Sequence, residues 1–326
     1  MTPERWKCTL YATFAGASPM AVLYRRGPSK HTCLIAWDCS DDSFQVGQWF
    51  EGMVQPSWGG LSPNGRWLIT FMGKYRGPYG TWTVLSKPPN FTAVALWPMG
   101  DTWHGGGWFL SDREMVLQHG LGPYALADGF NLPRGITVLP FRRSLDAPHA
   151  PLRACPWQPR PGKDHDAWPG PHGHALIRFR GSWPRRVANG GQVSSQEAIE
   201  HRLVTSGGAA IDLPLAGWAA FDRNGDLLFS DEGRLYRLPA EAIGAVTSSA
   251  ELLDAARCLA DFSDLRFTGV RAPYAGPRSA GPSATDLPPS GDDPDGESQP
   301  GFAPRIDRTT REDRRSAKRA RKLARP

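Results

Sequence analysis

The sequence predicts an all-β, propeller-like fold of four to six short-stranded antiparallel blades, five favoured, over residues 1–274, and three observations carry that expectation. Gly and Pro together make up 67 of the 326 residues. That fifth of the chain signals many tight turns without reaching the ~25–30% of a wholly disordered one. Thirteen Trp, 14 Phe and 7 Tyr supply rigid side chains that fit a pleated, half-buried surface, whereas long Ala/Leu/Glu/Lys runs are scarce. Short β-type runs punctuated by turn residues recur from the N-terminus onward. A chain of this length can bury an ample core.

The first element is an uncharged stretch, residues 8–24, that follows Arg5 and Lys7 and contains the triplet Ala15-Gly16-Ala17. That pattern mimics a secretory signal, but Thr9, Tyr11 and Thr13 interrupt the apolar run, and the alternation of Leu10, Ala12 and Phe14 reads as a half-buried strand. Runs at 20–24, 32–37, 44–50, 66–72, 81–86 and 91–97 are each of strand length. Turn chemistry separates them at 26–28, 38–42, 63–65, 76–78 and 87–90. The result is a meander of hairpins. No run approaches ~18 continuous apolar residues, so a membrane-spanning helix is not expected and the expected compartment is the cytoplasm.

Two segments repeat one another: Leu61-Ser62-Pro63-Asn64-Gly65-Arg66-Trp67-Leu68-Ile69 and Phe221-Asp222-Arg223-Asn224-Gly225-Asp226-Leu227-Leu228-Phe229. In both, an Asn-Gly turn leads into a strand, as a type I′ turn or a turn with a bulge. The two Asn residues are 160 positions apart, four intervals of 40, close to the ~40–45 residues of a four-stranded blade. Residues 108–117 form a third approximate copy, and Ala188-Asn189-Gly190-Gly191 marks a fourth. The run from Ser62 to Leu68 resembles the Ser-Pro-Asp-Gly-x-x-Leu signature of TolB-like and WD-repeat β-propellers, with Asn64 in place of Asp. Residues 20–109 and 217–274 also resemble a family of bacterial propeller-like proteins without an assigned activity. Stretches such as Gly47-Gln48-Trp49-Phe50-Glu51-Gly52, Trp103-His104-Gly105-Gly106-Gly107 and Leu259-Ala260-Asp261-Phe262 carry that likeness. It implies a fold and no chemistry, and residues 142–200 depart from it.

An irregular Pro/Arg-rich insertion is expected near 142–172, and a short helix from Ser249, its N-cap, to Arg257. Residues 275–304, rich in Pro, Gly, Ser and Asp, read as a disordered linker, because nothing apolar offsets the entropy of ordering them. Residues 305–326 form a basic tail with ten Lys/Arg against three acids, a net charge of +7 where the whole chain carries +6. The linker carries one Arg against five acids, which leaves +3 for the body. A partner that is nucleic acid or another anionic surface must therefore be sought by the tail, through Arg311, Arg314, Arg315, Lys318, Arg319, Arg321, Lys322 and Arg325. Such binding would be weak, non-specific and steeply salt-dependent. Five scattered cysteines without a C-x-x-C pair indicate reduced, buried thiols rather than a disulfide framework or zinc ribbon.

Candidate chemistry is sparse. Trp103-His104-Gly105-Gly106-Gly107 has the form of an oxyanion loop, yet no Gly-x-Ser-x-Gly nucleophile accompanies it. The alternative is structural, with the glycines allowing close backbone packing and Trp103 and Trp108 packing on neighbouring blades. Asp101, His104 and His119 are the catalytic candidates for a hydrolytic or metal-dependent site in a central channel. Asp164, His165, Asp166, His172 and His174 are the metal-ligand candidates, although Trp168-Pro169-Gly170-Pro171 between them reads as an exposed loop. No cofactor is predicted. The favoured expectation is a binding or protein-interaction scaffold, for a protein or small ligand, rather than an enzyme.

Overall fold

A computed structural model describes residues 8–28, 30–120, 124–140, 157–159, 165–179, 201–213 and 218–275. The chain divides into Met1–Ala275 and Gly276–Pro326, and the described residues all lie in the first unit. The expected linker, basic tail and Asn189 turn, together with Asp164, fall outside the described residues.

The body is all-β and propeller-like, and its described residues form five sheets, taken in chain order. The first comprises β1 (Thr9–Phe14), β2 (Met20–Arg26), β3 (His31–Asp38) and β4 (Ser43–Glu51), and the second β5 (Met53–Leu61), β6 (Leu68–Gly73), β7 (Thr81–Ser86) and β8 (Ala95–Pro98). The third holds β9 (Gly107–Phe109), β10 (Glu114–Leu117) and β11 (Thr137–Pro140). The fourth runs β12 (Gln158–Pro159), β13 (His165–Pro169), β14 (Ala175–Phe179), β15 (His201–Val204) and β16 (Ala210–Asp212). The fifth is β17 (Ala219–Phe221), β18 (Leu227–Asp231), β19 (Arg234–Leu238) and β20 (Arg257–Asp261). Neighbouring strands are antiparallel except β10 and β11, which run parallel because a long excursion, rather than a hairpin, joins them.

The order of the sheets follows from the two-residue period of a strand, which sends alternate side chains to opposite faces. In β2, Ala21 and Leu23 join Ala220 and Leu228 of the fifth sheet, while Val22 and Tyr24 join Leu68 and Met72 of the second. Likewise Leu68 and Met72 of β6 face the first sheet, but Ile69 faces Met115 and Leu117 of the third. In β18, Leu228 faces the first sheet, and Leu227 and Phe229 face Leu176 and Leu203 of the fourth. The packing order is thus fourth, fifth, first, second, third, and strands such as β6 are buried along their whole length.

One end of the body carries the turns that join the first strand of a sheet to the second, and these turns touch in the same order. Ala17 N donates to Pro63 O, Asn64 N to Asp112 Oδ1, and Arg223 Nη2 to Ala15 O, at 2.7, 2.8 and 2.8 Å. The repeated Asn-Gly segments are two of these turns. In each, only the glycine has positive φ (Gly65 +78°, Gly225 +87°), and its N–H closes on the carbonyl three residues back, so both are turns with a bulge rather than type I′. They open the second and fifth sheets. Their 160-residue separation therefore spans three sheets of about 53 residues and not four of 40, because the middle of the chain is longer than a regular repeat.

Past β20 the chain becomes a strap, residues 262–275, laid over the outer strands of the first two sheets. Buried Arg25 donates to Phe262 O (3.1 Å), Ser263 O (2.9 Å) and Gly27 O, and its guanidinium stacks on Trp49. Gln48 Nε2 donates to Val270 O at 2.9 Å, and the Tyr274 hydroxyl donates to Thr92 O at 2.8 Å. The strap covers β4, an edge that would otherwise offer free pairing groups.

Four expectations need correction. Strand β5 is absent from the predicted runs, since Pro56 and Gly59-Gly60 interrupt its pattern, and the register with β6 shifts there between Gln55 and Gly60. The insertion is not wholly irregular, because Gln158–Pro159 and His165–Pro169 are strands. The N-cap of helix α1 (Ser249–Ala255) is Ser248, whose hydroxyl accepts from Glu251 N. Cys8 and Cys33 are buried free thiols as expected, but Cys258 is exposed and Cys39 half-buried.

Candidate functional site

A cavity of about 960 Å³ lies where β1, the start of the fifth sheet and the inner strands of the fourth approach each other. Alternation along β1 turns Leu10 and Ala12 into the core and leaves Tyr11 and Thr13 to line the space. Phe14 meets Trp218 with ring centroids 5.9 Å apart, and Trp58, from the irregular stretch of β5, stacks on Phe71 at 5.2 Å. Gln118, just beyond β10, is the contribution of the third sheet to the lining.

The fourth sheet supplies a polar row. Asp166 pairs in register with Arg178, and Arg178 with His201, so the three side chains lie side by side on one face of β13, β14 and β15. Arg178 Nη2 donates to Asp166 Oδ2 at 2.7 Å, with Asp166 nearly buried and Arg178 28% exposed. Trp157 closes over the row: the Arg178 guanidinium lies 4.6 Å from its ring centroid, His201 at 5.6 Å, and Trp168 meets it edge to face at 5.5 Å. Trp168 in turn meets Phe221 at 6.1 Å. One N–H of Arg178 serves Asp166, and the guanidinium makes no other hydrogen bond among the described residues, so its remaining donors are available.

The catalytic candidates stand apart from this cavity. Asp101 Oδ1 accepts from the backbone N–H groups of Trp103 and His104, which folds the loop on itself, and the His104 ring lies at the surface, 4.0 Å from that carboxylate. His119 is fully buried, bonded through Nε2 to Thr83 Oγ1 at 3.0 Å and stacked on Tyr124. Thr83 Oγ1 also accepts from Gly106 N. A Cβ on Gly106 would sit 1.9 Å from Trp58 O, so this glycine serves close packing. Trp108 is buried as expected, whereas Trp103 is 82% exposed and packs on no neighbouring blade.

Among the described residues, the metal-ligand candidates His165, Asp166, His172 and His174 do not converge either. Residues 165–169 form a strand rather than a solvated loop, with Asp166 held by Arg178 and His165 against Phe179 at 5.7 Å. His172 is exposed at the hairpin tip with φ +53°, whereas His174 is buried and its Nδ1 accepts from Ser206 N at 2.9 Å. Burial, reinforced by the charge of His172, pushes the His174 pKa down. Among the described residues no group of three or more His, Cys, Asp or Glu side chains is placed to hold a metal ion. Cys39, in the cavity wall, is pushed up to about 12 by burial and stays protonated at neutral pH.

Sequence reasoning missed Trp157, Arg178 and His201 as site residues, because the row they form depends on strand register and no motif marks it. The available signal was a pair of opposite charges, Asp166 and Arg178, equidistant from the turn residues Gly170-Pro171-His172-Gly173-His174, which reads as a cross-strand pair in a hairpin. No family model, curated protein or solved structure matches the chain.

Proposed function

We propose that the body is a binding scaffold without catalytic machinery of its own, and that it takes a small ligand into the aromatic cavity. The observation that supports this most strongly is the Asp166–Arg178–His201 row beneath Trp157, which sets directional polar groups among aromatic walls in a cavity of about 960 Å³. Sites of roughly 300–1,000 Å³ with apolar walls and a few convergent polar groups are the usual architecture of small-molecule recognition. The titratable side chains that would suit hydrolysis, Asp101, His104 and His119, are not among the residues that line the cavity.

A ligand present at 100 times its Kd adds about 2.7 kcal/mol to the folded state. For a body of this size that is a rise of roughly 5–10 °C in Tm. Screening small molecules by thermal shift, with tryptophan fluorescence as the second readout, should yield such a ligand, and Trp157→Ala should abolish the response. Ligands that bind with affinity unchanged by Trp157→Ala would place recognition elsewhere and overturn the reading.

A further inference from the structure

Resting on that ligand-binding reading, we propose that the cavity takes a short neutral oligosaccharide. Charge decides part of this. The guanidinium of Arg178 is already neutralised by Asp166 at 2.7 Å, so a formally anionic ligand would compete with a carboxylate held in place by strand register. At the rim, Arg223 is committed to Ala15 O, and Asp222 accepts from Asn224 N and Asp226 N. The formal charges of Asp222 and Arg223 offset one another at the rim, as Asp166 offsets Arg178, so the described lining offers hydrogen bonds rather than net charge.

Polarity decides the rest. A purely apolar ligand would strip water from Thr13, Gln118 and the free N–H groups of Arg178 without replacing its hydrogen bonds, a loss that its own burial must overcome. The hydroxyl groups of a sugar both donate and accept, and so suit a mixed set of hydroxyl, amide and guanidinium partners. The two faces of a pyranose ring are patches of C–H bonds, which carry slight positive charge and pack on the electron-rich faces of Trp157 and Trp168. These indoles meet edge to face at 5.5 Å, so successive rings of a bent chain find surfaces in two orientations. The volume, at the upper end of the small-ligand range, has room for more than one ring.

The test is calorimetry on the full chain with maltotriose, cellotriose, xylotriose and tri-N-acetylchitotriose, with trigalacturonate, indole acetate and a proline-rich peptide as comparators. At least one neutral trisaccharide should bind saturably, and at least tenfold more tightly than trigalacturonate. Trp157→Ala should weaken it tenfold or more, while Trp157→Phe, which keeps an aromatic face, should stay within about threefold; far-ultraviolet circular dichroism checks that both variants fold. Trp157-dependent binding of the anion, the indole or the peptide alone would overturn the saccharide inference and leave the ligand-binding reading standing. Absence of any Trp157-dependent binding would overturn both.

Discussion

Burial of His174 couples the fourth sheet to pH. Its Nδ1 must be unprotonated to accept from Ser206 N, and its folded pKa is depressed below the ordinary value of 6.5. A depressed value means that this residue's contribution is fully present above the unfolded pKa and is lost as pH falls through the folded one. His174→Asn supplies an acceptor that does not titrate in this range. Urea midpoints at pH 7 and pH 5 should fall further for the wild type than for this variant, and equal slopes would refute the account. In the sequence His174 is one of a set of metal-ligand candidates, since its partner Ser206 lies 32 positions away and only the pairing of β14 with β15 brings the two together. Arg178 was illegible for the same reason, because its role depends on Asp166 and His201 across two strand pairings. Gly65 and Gly225 were legible, since an Asn-Gly pair carries its turn chemistry locally.

At the scale of elements, strands with clean alternation or β-branched and aromatic runs were readable in the sequence, and β7 (Thr81–Ser86) has the predicted bounds. The three-residue strands β9, β16 and β17 carry too little pattern for that, and β5 is hidden by the residues that bend it. Helix α1 was legible apart from its two ends: it stops at Ala255, with Arg257 already in β20 rather than in the helix, and at its start Thr247, Ser248 and Ser249 all have the chemistry of a cap. The structure selects Ser248, while Glu251 Oε2 reaches back to Thr247 N and Oγ1 at 2.8 Å each. Ser248→Ala should cost about 1 kcal/mol in urea unfolding, as the loss of an N-cap does. Ser249→Ala removes only a hydroxyl bond to Asp212 O at the surface and should cost less. A larger loss at Ser249 would reverse the assignment.

At the scale of the molecule, the first sheet is joined to the last by an ion network as well as by apolar packing. Asp42, in the β3–β4 turn, accepts from Arg237 Nη2 of β19 at 2.9 Å, Arg257 Nη2 of β20 at 2.6 Å and Trp37 Nε1 at 3.2 Å. Asp42 and Arg237 are nearly buried, but Asp222 and Asp226 also lie 3.9 and 3.8 Å from the Arg237 guanidinium, so Asp42→Asn removes the closest of three carboxylates and should destabilise the body by about 2 kcal/mol, the worth of a hydrogen bond between charged groups. The exposed pair Arg202–Asp212 should be worth less than about 1 kcal/mol. Chemical denaturation of Asp42→Asn and Asp212→Asn compares the two directly, and equal losses would show that the network does not hold the sheets together. Buried Arg25 has a further consequence, for biosynthesis. Its guanidinium is satisfied by carbonyls of Phe262 and Ser263, some 237 residues downstream. At about 5–20 residues per second, the ribosome delivers those carbonyls roughly 12–50 s after the arginine itself. During that interval Arg25 has only Gly27 O of its three carbonyl acceptors and water in place of the other two, so its final burial, and the covering of β4, come late in the synthesis of this chain.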